Sequence, residues 1–190
     1  MPHRSSIVTQ VSLPAHASVS GVYRAVHLVD AFAIALPPES TRDPEVLARF
    51  IFAHQPAWIG KLTKLRDVIV AGFGLKTTGE LANLGKTEQA QRLGIFRIYD
   101  TSENEILVGE DDKHLDFRLS VLCMGKPAPE SGGELILSTV VHCHNLLGHA
   151  YLFVIAPFHR MVVKASLRRA ARIGWPQAGA PHDRLRGVAR

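Results

Sequence analysis

The chain has 190 residues, of which 46% are hydrophobic and 21% charged, with a formal net charge of +5. This is the composition of an ordinary soluble domain long enough to bury a sizeable core, and it excludes collagen-like and low-complexity classes. The charge is uneven: residues 164–190 hold seven basic side chains against Asp183 alone, so the remaining body is close to neutral.

Residues 1–27 contain Pro14 and scattered Ser and Gly, and are expected to be irregular and to lie over the surface. The N-terminus lacks the apolar run of a signal peptide. Ala31–Leu36 alternates large and small apolar residues before Pro37-Pro38 and is predicted as a first strand. Asp43-Pro44-Glu45 combines an Asp N-cap, Pro at the first helical position and an acidic first turn, and so starts a helix. Pro56 ends that helix, and a second starts near Ala57 with Trp58, Leu62, Leu65 and Ile69 at helical spacing. Residues 75–93 are predicted as a long loop or flap.

Strands are expected at Ile95–Tyr99 and Glu105–Gly109, followed by Lys113–Ser120 and Leu135–His144. In the last two, Leu115, Phe117, Leu119 and Val121, and then Leu135, Leu137, Val141 and Cys143, occupy alternate positions, which places them on one face. A final helix is predicted from about His149 to Ile173, with a kink at Pro157 and a stop at Gly174-Trp175-Pro176. Residues 174–190 form an expected basic, disordered tail.

This order predicts an α+β domain over residues 28–173: a curved antiparallel sheet wrapped around the long C-terminal helix, with two short helices after the first strand. A cavity is expected where the helix stands off the strands. Phe117, Leu119, Val141, Tyr151, Ile155 and Phe158 are the predicted ligand-binding residues. The cavity would suit a hydrophobic or amphipathic small molecule.

The polar positions of the same strands supply a second set of candidates. If paired residues have numbers summing to about 260, Asp116 faces His144 and Arg118 faces His142, with His114 one step beyond. An opposed acid and imidazole on adjacent strands lie within hydrogen-bonding reach, and the functional reading of the pair is an acid–base site. The alternative function is therefore a cyclase or isomerase using Asp116 with His142 and His144, or His159 beside the kink. The competing interpretation of the cluster is a solvated outer face, and a third function is a protein-interaction domain. Glu110-Asp111-Asp112 reads as a solvated turn. No metal site and no cofactor are expected.

The same pairing separates Cys123, facing Leu137, from Cys143, facing Phe117. Two reduced, buried thiols suit the cytoplasm. The most apolar window, Ala150–Phe158, is shorter than a membrane span, so no membrane insertion is expected. The basic tail lacks interleaved aromatics, so no specific nucleic-acid contact is expected. A homodimer is a further option.

Gly109–Ser120, Thr139-Val-Val-His142, Asn145, Gly148, Tyr151 and Pro157-Phe-His-Arg160 together resemble an uncharacterised bacterial family, domain of unknown function 2867. The family is grouped with the START and Bet v 1-like helix-grip proteins of the SRPBCC superfamily. The resemblance covers about residues 27–173 and implies a helix-grip fold with a hydrophobic cavity, but no established activity or catalytic residues. Family members often have arginine after the glycine where this chain has Gly148-His149.

Overall fold

A computed structural model describes residues 7–62, 92–125 and 132–178. Among these residues, seven strands form one antiparallel sheet in the order β1-β2-β7-β6-β5-β4-β3. They are β1 (Thr9–Gln10), β2 (Leu28–Leu36), β3 (Arg92–Leu93), β4 (Phe96–Thr101), β5 (Glu105–Asp111), β6 (Leu115–Gly125) and β7 (Gly133–Cys143). Two short helices follow β2: α1 (Pro44–Ala53) and α2, whose described turns cover 57–62. The long helix α3 (Leu146–Ile173) ends the domain. The curved sheet and the long helix make the expected α+β, helix-grip arrangement.

Local chemistry accounts for the helix ends. The Asp43 carboxylate accepts the Glu45 and Val46 N–H groups at 2.9 and 3.1 Å, and Pro44 occupies the first turn, where its missing N–H costs nothing. Asn145 caps α3 by accepting the Gly148 N–H at 3.1 Å. Its amide also reaches back to the Lys113 carbonyl, tying α3 to the turn between β5 and β6. Gly148 is required there: a Cβ would lie 2.2 Å from the His114 carbonyl oxygen. At the other end Gly174, with φ of 100°, stops the helix.

The main core lies between the sheet and the helices. Phe32, Ile34, Val121, Leu135 and Leu137 of the sheet meet Leu47 and Ile51 of α1 and Val163, Leu167 and Ala170 of α3. A second cluster on the opposite, convex face packs Ala17 and Val19 of the N-terminal segment over Ala31, Leu107, Leu122, Ile136 and Val140.

Several boundaries differ from expectation. A short strand, β1, precedes the predicted first strand and pairs with it. Arg92–Leu93 is a strand paired with β4; the rest of the predicted loop, and the end of the second helix, lie outside the described residues. Helix α3 begins three residues before His149 and is continuous through Pro157. The start of the predicted tail is structured: Trp175 is buried near Phe50, and Gln177 bridges to Ser40. The remainder of that tail lies outside the described residues.

Candidate functional site

The partners across β6 and β7 have numbers summing to 258, as in Leu115 with Cys143 and Phe117 with Val141. The expected sum of 260 is therefore corrected by two residues. A shift of two preserves which face each side chain occupies but changes its neighbour. Asp116 lies opposite His142, and Arg118 lies opposite Val140 rather than His142. Cys123 lies opposite Leu135, and Cys143 opposite Leu115. Both thiols are free and buried, and burial pushes the Cys123 pKa up to about 12.

The apolar face of these strands is the concave one. Beneath the N-terminal half of α3 it encloses a cavity of about 540 Å³. Phe117, Leu119, Val141, Tyr151 and Ile155 all line it. Phe158 does not: it sits on the flank of the helix, 44% exposed. At about 100° per residue, Tyr151, Ile155, His159, Val162 and Ser166 fall along one stripe, and Phe158 falls outside it. The α1 side is closed by Ile51 and Phe52, and the far edge by Leu93, Phe96, Glu110 and Asp112. This size and apolar lining are typical of small-molecule pockets.

Among the described residues, Thr139 of β7 and His159 and Ser166 of α3 place polar groups on the wall between strand and helix. His159 Nε2 and the Thr139 hydroxyl are 3.2 Å apart. Burial, joined by the neighbouring Arg160 and opposed by Asp30, lowers the His159 pKa, so the imidazole is neutral at neutral pH. Ser166 is buried, and its hydroxyl has no hydrogen-bond partner among the described residues. Beside them Arg160 Nε donates to both oxygens of the buried Asp30 carboxylate at 3.0 Å, fastening α3 to β2. Without that partner the carboxylate would be buried and uncompensated.

Asp116, Arg118, His142 and His144 sit on the other face, away from the cavity. The His144 ring is 3.0 Å from the Asp116 carboxylate. His142 donates from Nδ1 to the Ala25 carbonyl at 2.7 Å and stacks on Tyr23. Arg118 reaches β5, pairing with Asp111 at 2.7 Å and lying 3.5 Å from the centre of the Tyr99 ring. Burial alone would raise the Asp111 pKa, but hydrogen bonds from Arg118 and Tyr99 outweigh it and lower it. The expected solvated turn is thus corrected: Glu110 is buried and paired with Arg92, and Asp111 is bound to Arg118 and Tyr99. Gly109 makes this crowding feasible, since a Cβ there would strike the Phe117 carbonyl.

Sequence reasoning missed two features. Glu105, buried on the convex face, accepts the Ser18 N–H at 2.8 Å and the Ser120 hydroxyl, pinning the N-terminal segment to the sheet. Its place in an alternating strand beside turn residues offered no signal of that partner. The second is a trio in which His27, Cys143 and His149 bring donor atoms within 4.8 Å of one another. His27 Nδ1 accepts the Cys143 backbone N–H at 2.9 Å, which puts the ring proton on Nε2. Burial also raises the Cys143 thiol pKa. Metal ligation would have to break the hydrogen bond and remove the thiol proton, so the trio is not preformed for an ion.

Residues 22–166 match the family described as Protein of unknown function (DUF2867), and the chain belongs to that family. Neither the curated proteins nor the solved structures include a match. The matched segment contains the whole sheet from β2 onward and most of α3, including every cavity-lining residue named above.

Proposed function

We propose that this member of the DUF2867 family binds a hydrophobic or amphipathic small molecule in the cavity between the sheet and α3. The observation that carries this reading is an apolar chamber of about 540 Å³ whose inner wall groups Thr139, His159 and Ser166. The hydrocarbon part of a ligand gains from leaving water against Phe117, Leu119, Val141 and Ile155. The hydroxyls and the neutral imidazole orient one uncharged polar group, with the Ser166 hydroxyl taking the partner it lacks in the described structure.

The helix-grip layering and the cavity support grouping this bacterial family with the START and Bet v 1-like proteins. The two reduced thiols support a cytoplasmic location.

The test is displacement of a lipophilic fluorescent dye, with native mass spectrometry of the purified protein. Wild type takes up the dye, and Ile155→Trp, which projects a larger ring into the chamber, weakens uptake at least tenfold. A folded wild type that takes up no dye and carries no adduct refutes the reading.

A second reading rests on His159 alone: a neutral imidazole facing an apolar chamber is a suitable proton acceptor for a cyclase or isomerase. Asp116, His142 and His144 have no part in it, because they occupy the opposite face. Deuterium exchange into an enolisable ketone bound in the cavity measures it. Loss of exchange in His159→Gln with dye affinity unchanged supports this reading; equal exchange in both proteins removes it.

A further inference from the structure

Helix α3 has two unlike sides. One packs on the sheet through Leu152, Val163, Leu167 and Ala170. The other exposes large apolar groups: Leu146 is 87% exposed and Phe153 84%, with Val154 and Met161 about half exposed. At about 100° per residue these four share one sector, and Arg168 and Arg172 continue it toward the C-terminal end. The 28-residue helix contains five cations and no carboxylate. One 18-residue window of the helix is apolar enough, by length and composition, to cross a membrane, with a mean hydropathy of 1.4 and 17% of the window buried.

From this combination we propose that the outward side of α3 docks on the surface of an anionic bilayer. An apolar, aromatic half followed by an exposed basic half calls for an occupant that is both hydrocarbon and negatively charged, and a bilayer with anionic headgroups offers these as adjacent layers. Phe153, Val154 and Met161 enter the headgroup and acyl boundary, while Arg168 and Arg172 meet the phosphates. The helix lies on the surface and does not span, because Val163, Leu167 and Ala170 hold its other side in the domain core. A surface groove lined by Phe153, Pro157 and Arg160 shares Leu28 and Leu152 with the cavity wall, so the docked side adjoins the chamber. The proposal does not depend on what the chamber binds.

The experiment is co-sedimentation of the full chain with vesicles of phosphatidylcholine, with and without phosphatidylglycerol, alongside sedimentation equilibrium without vesicles. Wild type is expected to partition at least tenfold better onto the anionic vesicles, and raising the salt should release it. Arg168→Gln and Arg172→Gln should each reduce partition about fivefold. Phe153→Ser, at a side chain outside the core, should reduce it on the order of tenfold with an unchanged thermal melt. Wild type remaining in the supernatant with anionic vesicles overturns the proposal, as does unaltered partition of both the Arg and Phe variants. A dimer that Phe153→Ser dissociates also overturns it, since a second copy would then cover this side.

Discussion

The concave face of the sheet keeps a cavity under α3, whereas the convex face is closed by the N-terminal segment with its charged groups paired. Both faces arise from the same alternating strands. On the concave side the cover is a rigid helix, which packs closely at Val163 and Leu167 but stands away from the sheet near Tyr151 and Ile155. On the convex side the cover is an irregular chain that follows the surface and brings its own backbone groups to the sheet. Ser18 donates to Glu105, and the Ala25 carbonyl accepts from His142. A stiff cover leaves space where its curvature differs from that of the sheet. An irregular one satisfies polar groups one at a time.

Mutations sharpen this contrast. Leu167→Ala removes a fully buried side chain at the close-packed end and should cost about 3 kcal/mol in urea unfolding. Glu105→Ala leaves the Ser18 N–H and the Ser120 hydroxyl without their acceptor and should cost about 2 kcal/mol. It should also make residues 7–27 sensitive to limited proteolysis while dye uptake is retained. Lost dye uptake in that variant would show that the two faces are not independent. Ile155→Ala, bordering space that is already open, should cost less than about 1 kcal/mol; a value near that of Leu167→Ala would mean the chamber is effectively filled.

The smallest effect is set by pH. The folded-state pKa of His159 lies below the ordinary 6.5, so the unfolded chain binds more protons between those two values. This contribution to stability is complete above about pH 6.5 and is lost as the pH falls toward the folded value. Wild type should therefore melt at progressively lower temperature from pH 7 to pH 5, and His159→Gln should flatten that slope. An identical slope in the variant would assign the dependence to other groups.

Much of the fold was legible in the chain. Asp43-Pro44-Glu45 marks a helix start because the carboxylate, the missing proline N–H and the helix dipole act within one turn. The apolar alternation of Leu115–Val121 and Leu135–Cys143 marks the concave wall because side-chain direction along a strand depends only on parity. Five of the six predicted cavity residues line the chamber for that reason and through helical periodicity. Phe158 was misassigned because the rotation of a helix about its axis depends on what it packs against.

The polar cluster shows where sequence stops being sufficient. Parity established that Asp116, Arg118, His142 and His144 share a face, but which face is concave depends on the cover each receives. Their partners depend on a register two residues from the expected one, and register is set by the turn and by both covers together. Ser18 and Glu105 lie 87 positions apart, so no local pattern encodes their hydrogen bond, and Asp111 meets Arg118 only through the pairing of neighbouring strands. By itself the sequence determined the element order, the helix caps and the apolar wall, all consequences of local backbone and side-chain geometry. Only the tertiary structure decided that the cavity holds His159 rather than Asp116, because the docking of α3 selects which polar groups lose water and which remain outside.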